Sequence, residues 1–195
     1  MKIILGTAHS KSTPGKCSPD GRLKEYAYSR EICKRIQDSL KAKGYDCVID
    51  ITADEEISFT NRCNIVNRYC RQYGAKNCLY VSVHVNAAPG NGWSNARGLS
   101  VWVYTKGSAA SKELAATLYE EGASRGLKGN RWVPACKYWT ANYFVLKFTN
   151  CPAVLTENLF QNNKEDVDFL LSEKGKQTIV DYHVNGIIKY LKGKK

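Results

Sequence analysis

Four polar residues far apart in the chain, His9, Glu25, His84 and Glu157, are of the types a hydrolytic centre uses. Only three histidines occur in 195 residues, and two of them sit at or just past the carboxyl end of an apolar run, residues 2–7 before His9 and residues 79–85 around His84. Glu25 opens a stripe continued by Tyr28, Ile32, Ile36 and Leu40, so its carboxylate lies on the helix face that should turn toward a core. A charge there needs a partner. Two imidazoles and one carboxylate with an open coordination position form a recurring catalytic zinc set, because borderline-soft zinc accepts nitrogen and oxygen together. Glu157 follows Pro152-Ala153-Val154-Leu155-Thr156 at the end of another apolar run. Beside a zinc-bound water it would be a general base. Taken singly, each residue also fits an ordinary role: a surface histidine with a hydrogen bond, an acid in a first helical turn, a turn residue or helix cap after a strand. His183 is a control, since it lies on a helical stripe with Ile179, Val180, Ile187 and Leu191, away from any strand end; packing or a buried hydrogen bond is expected for it.

The elements that would position these residues alternate between strands and helices. Strands are expected at 2–7, 47–51, 79–85, 99–104 and 153–156, and helices at 25–43, 58–73, about 109–124, 164–172 and 176–191. The second helix carries Phe59, Cys63, Val66, Cys70 and Tyr73 on one stripe and stops at Gly74. Residues 126–142 read as a long irregular stretch. This alternation predicts a single-domain α/β fold over residues 1–195, a mostly parallel twisted sheet with helices on both faces, with no separate second domain. In such sheets ligands bind beyond the carboxyl ends of the strands, which is where His9, His84 and Glu157 fall.

Composition sets the bounds. An apolar fraction of 43% and a charged fraction of 24% belong to a globular chain, and no run approaches the roughly 18 apolar residues of a membrane helix. The net charge of +11 divides evenly, +6 in residues 1–98 and +5 in residues 99–195, so there is no basic arm; the field favours any polyanion and names none. Eight cysteines without a Cys-x-x-Cys pair argue against a zinc knuckle and for mostly reduced, buried thiols.

In combination and in order, these motifs resemble the zinc-dependent N-acetylmuramoyl-L-alanine amidases of the type-3 family over about residues 2–191. Gly6-Thr7-Ala8-His9 matches the family's first strand and histidine, and Glu25 matches its helix-opening glutamate. Ser82-Val83-His84-Val85-Asn86-Ala87 matches the third-ligand motif without a mismatch. Pro152-Ala153-Val154-Leu155-Thr156-Glu157, followed by Phe160 and Asn162, matches the strand that carries the catalytic glutamate. Residues 143–147 resemble the strand feeding that element, and Arg62 and Asn67 match polar positions of the second helix, with structural roles expected. One departure is the loss of the family's glycines after the first histidine, where this chain has Ser10-Lys11.

The resemblance implies zinc held by His9, Glu25 and His84, Glu157 as general base, and hydrolysis of the amide joining N-acetylmuramic acid to L-alanine in peptidoglycan. It implies peptidoglycan as the partner, with neither nucleic acid nor membrane insertion, and a monomer. Loops 10–22, 88–97 and 126–142 are expected to line the groove, with Trp93, Trp132, Tyr138 and Trp139 either stacking on substrate or packing their own loops. Two rivals share parts of this reading: a zinc peptidase cutting within the stem peptide and a non-catalytic module binding polyanions or cell wall. A cysteine hydrolase ranks last, because no cysteine sits at a strand end opposite a spare histidine. The sequence as given has no signal peptide, so synthesis in the cytoplasm and action on the wall after release or export are expected, as for a phage lysin or an autolysin.

Overall fold

The structure is a computed structural model that describes residues 1–54 and 57–193. Six strands, β1 (Lys2–Thr7), β2 (Asp46–Ile49), β3 (Cys78–Asn86), β4 (Ser100–Tyr104), β5 (Trp139–Ala141) and β6 (Ala153–Phe160), form one sheet in the order β2-β1-β3-β6-β4-β5. The four strands from β2 to β6 run parallel; β4 pairs antiparallel with β6, and β5 follows β4. The expected α/β layer structure is thus present, with two reversed strands at one edge.

The period-2 pattern of the strands divides the core between the two faces. Ile3, Leu5, Leu79, Val81, Val83 and Val154 pack on one face beneath α1 (Glu25–Ala42), α3 (Ala109–Ala123), α5 (Lys164–Leu171) and α6 (Glu173–Lys192). Ile4, Cys78, Tyr80, Ala153 and Leu155 pack on the other beneath α2 (Phe59–Tyr73) and the short α4 (Phe144–Lys147). Ser58, Ser108, Asn163 and Ser172 cap their helices by accepting a backbone N–H, as such residues do at N-caps. Among the described residues no helix is long and apolar enough to cross a membrane.

Four local expectations are corrected. Residues 143–147 form a helical turn rather than a strand: the Tyr143 carbonyl accepts from the amides of Leu146 and Lys147, and Val145 and Leu146 turn inward. A five-residue apolar run cannot by itself distinguish the two. β6 extends to Phe160, so Glu157 lies within the strand and not after it, and the irregular stretch before Asn142 contains β5. On α2 the ends of the stripe, Phe59 and Tyr73, are exposed, and Phe59 stacks on Phe144.

Candidate active site

The carboxyl ends of β1, β3 and β6 and the first turn of α1 meet in a cleft of about 600 Å³. β1 delivers His9 two residues past its end, in a backbone conformation with φ of 41°, which L-residues seldom adopt. Two contacts fix this turn: Ser29 on α1 accepts from the Ala8 amide and donates to the Val83 carbonyl, at 2.8 and 2.6 Å, joining β1, α1 and β3. Leu159, at φ of 64°, is a second left-handed residue, beside the register shift where β3 and β6 part. Strained positions of this kind gather where surrounding structure fixes a functional geometry.

β3 and β6 run in register with His84 opposite Glu157, so both side chains leave the sheet on the α2 face. Glu25 is 1% exposed and reaches across from α1. Its Oε1 lies 3.1 Å from His84 Nδ1 and accepts from the Val85 amide at 3.1 Å, and its Oε2 lies 3.4 Å from His9 Nε2. The two imidazoles meet edge to face with centroids 5.1 Å apart, and one donor atom from each of His9, Glu25 and His84 lies within 4.8 Å of the others. Burial pushes the Glu25 carboxyl up, but the adjacent His84 and His9 outweigh it and hold the group well below the usual carboxylate range. Burial lowers His84, against the pull of Glu25. Both groups therefore favour the forms that coordinate a cation, a carboxylate anion and a neutral imidazole.

Glu157 has the opposite character. Burial and then the charge of Glu25 raise its carboxyl well above the ordinary value, with Lys16 and Arg131 opposing them, and its buried Oε2 has no hydrogen-bond partner among the described residues. A carboxyl kept out of water, unpartnered and beside a cation-competent cluster, is suited to taking and returning a proton.

A layer of buried polar groups supports the site, and only part of it was visible in the sequence. Arg62 donates to Asp50 at 2.7 Å, Tyr80 adds a bond to the same carboxylate at 3.1 Å, and Asp50 accepts from the Thr7 amide at 3.0 Å, pinning the end of β1. Asn67 receives the Asn150 amide and donates to the Phe148 carbonyl, so both expected structural roles on α2 are met. His183 is fully buried, donating from Nδ1 to the Ile179 carbonyl at 2.8 Å, with the Thr156 hydroxyl 3.0 Å from Nε2. Asn158 donates to the His84 carbonyl at 2.7 Å and accepts from Tyr182. Asp50, Ser29 and Asn158 carried no signal in spacing, because each acts through a contact across the fold.

The cleft wall also differs from expectation. From the three loops it takes Ser10, Thr13 and Lys16, only Asn142 from 126–142, and nothing from 88–97; Ile57, Phe59, Tyr143 and Phe144 form the rest of that side. Trp139 packs against Tyr119 and Trp102, Tyr138 packs on the core, and Trp93 and Trp132 stand exposed outside the wall.

Fold and site together define a compact α/β domain with a His-Glu-His cluster and a nearby acid at the carboxyl edge of its sheet. Residues 3–189 match the family model described as N-acetylmuramoyl-L-alanine amidase, and the chain belongs to that family of enzymes. It is 31% identical over 199 residues to the endolysin of Bacillus phage SPP1, covering 99% of this chain and 67% of that protein. It is 26% identical over 195 residues to the N-acetylmuramoyl-L-alanine amidase CwlM of Bacillus licheniformis, covering 97% of this chain and 68% of that one. Among solved structures it superposes on the N-acetylmuramoyl-L-alanine amidase from Clostridium difficile 630 with a TM-score of 0.84 and 26% identity, over 100% of this chain and 98% of that one.

Proposed function

We propose that this chain hydrolyses the amide between N-acetylmuramic acid and L-alanine in peptidoglycan, with zinc held by His9, Glu25 and His84 and with Glu157 as general base. The observation that carries this reading is the convergence of three donor atoms within 4.8 Å beside an unpartnered, buried carboxyl, in a chain of this family. Two nitrogens and one carboxylate fit zinc and leave a coordination position for substrate or water. When bound, zinc supplies a Lewis acid that polarises the scissile carbonyl and acidifies water.

The chain's own groups do the rest. Glu25 is fixed by both imidazoles and the Val85 amide, so the cluster keeps its orientation without substrate. Glu157 takes a proton from the attacking water at Oε2 and returns it to the alanine nitrogen, which is too poor a leaving group to depart as an anion. Desolvation of Glu157 strengthens its basicity where the proton is transferred. The +11 charge favours accumulation of the enzyme on anionic wall polymers.

Mass spectrometry of a digested cell wall tests the bond choice: new amino-terminal L-alanine is expected. New reducing sugar ends, or cuts confined to bonds within the stem peptide, would refute it. Glu157→Gln should retain its zinc while turnover falls at least about 10²-fold. Wild-type turnover in that variant would remove Glu157 from the mechanism.

A further inference from the structure

The two imidazoles of the candidate site are held in different ways. His84 stands within β3, paired with Glu157 of β6, whereas His9 lies beyond the end of β1 on a turn. The His9 ring meets the other two members of the cluster, Glu25 Oε2 at 3.4 Å and the His84 ring edge to face, so its place depends on the backbone that carries it. That backbone is left-handed, with φ of 41°, and neither Ala8 nor Ser10 is a glycine that would ease the turn. Such a conformation persists only where its surroundings impose it.

Much of that constraint comes from one side chain, Arg30 of α1, which is 13% exposed. All of its N–H donors meet main-chain carbonyls: Nη1 donates to Ala8 and Tyr26 at 3.0 and 2.9 Å, Nη2 to His9 and Ala53 at 3.1 and 2.6 Å, and Nε to Ala53 at 3.1 Å. The Ala8 carbonyl belongs to the peptide before the His9 Cα, and the His9 carbonyl to the peptide after it. Each peptide is planar, so holding both planes from one rigid fork fixes φ and ψ of His9 together. Ser29, the preceding residue of α1, takes the Ala8 amide at 2.8 Å, and Thr13 Oγ1 takes the Ser10 amide at 3.1 Å. Asp54 lies 3.5 Å from Nε and offsets part of the burial that disfavours the guanidinium charge. Helix α1 therefore contributes one candidate ligand, Glu25, from its first residue and sets a second, His9, from its second turn. A single rigid element fixes the spacing of the two.

We propose that Arg30 is a positioning residue for His9: it imposes the left-handed turn that aims the imidazole at Glu25 and His84, and zinc affinity depends on that aim. This rests on the zinc reading above. The rival is a purely structural tie between this turn and the segment after β2, made through the Ala53 carbonyl. That role lowers stability and leaves the folded site unchanged.

The test compares wild type, Arg30→Gln and Arg30→Lys as folded proteins. Zinc affinity is read by competition with a chromophoric chelator, and the three histidines, few enough to resolve, by imidazole NMR of the zinc-free protein. Arg30→Gln should weaken zinc binding about 10–100-fold, the scale on which partners of metal ligands act. Its His9 resonances should shift or broaden while those of His84 and His183 stay in place. Arg30→Lys should fall between, because an ammonium keeps the charge and lacks the fork, and it carries the same measurements if Arg30→Gln fails to fold. A lower urea midpoint with zinc affinity within about twofold of wild type would mean a structural tie alone and would overturn the proposal. So would a loss of affinity in which all three histidines move together, since the effect would then be general. Zinc binding by the wild type with unchanged affinity in the variants removes Arg30 and leaves the zinc reading intact; a wild type that binds no zinc removes both.

Discussion

Three residues of ligand-forming type gather at each end of the sheet's central strands, and the two trios behave differently. At the amino end Cys78 opens β3, Cys151 precedes β6, and Cys70 approaches from the last turn of α2. These thiols are buried in an apolar cluster with Tyr80, Val66 and Leu155. Burial pushes Cys78 up to about 11, while the neighbouring Cys151 draws Cys70 down to about 7 and is itself pushed up. At the carboxyl end the donors converge on one point, line a cleft, and hold the charge states that bind a cation. Chemistry thus depends less on how many ligand-type residues gather than on whether backbone and neighbours fix their charges and leave an open side. The amino end has the residues; the carboxyl end has the arrangement.

The predictions that would break this contrast run from complete loss to a small effect. Chelation should abolish turnover and zinc should restore it, while His84→Ala should lose metal and activity together; full zinc content in that variant, measured by metal analysis, would show that His84 is not a ligand. Arg62→Ala leaves Asp50 buried without its cation and should cost about 3–5 kcal/mol in urea unfolding. A cost near zero would mean that Asp50 is served by Tyr80 and the Thr7 amide alone.

His183 gives a pH test away from the cluster. Burial lowers it from 6.5 to about 4, so the unfolded chain binds a proton that the folded one refuses. Stability from this residue is complete above about pH 6.5 and is lost progressively as pH falls toward 4, by about 3 kcal/mol in all. His183→Asn should flatten that part of the stability profile relative to wild type; parallel profiles would contradict the burial argument. The smallest effect belongs to the amino end: Cys70→Ala should cost roughly 1 kcal/mol and keep kcat/KM within about twofold, because it removes packing and no chemistry. Loss of zinc or turnover in that variant would erase the distinction between the two ends.

Much of this was legible before any coordinates. Helix stripes and apolar runs placed α1, α2, α3 and the central strands, and the carboxyl-end rule placed the site. The reading failed where local pattern was short, at residues 143–147, or absent, at β5, because packing and pairing across the sheet settle such segments. The loop aromatics were beyond reach for a related reason: whether Trp139 faces substrate or Tyr119 depends on what the fold puts beside it.

By itself the sequence determined which residues could do chemistry, since side-chain type and the carboxyl-end position of His9, His84 and Glu157 follow from order along the chain. Tertiary structure alone decided that Glu25 lies between the two imidazoles, that Asp50 and Asn158 brace them, and that Arg131 is held on Ser100 of β4. Those facts are distances between segments tens of residues apart, and they are set by which faces pack together, a property that no local stretch of sequence contains.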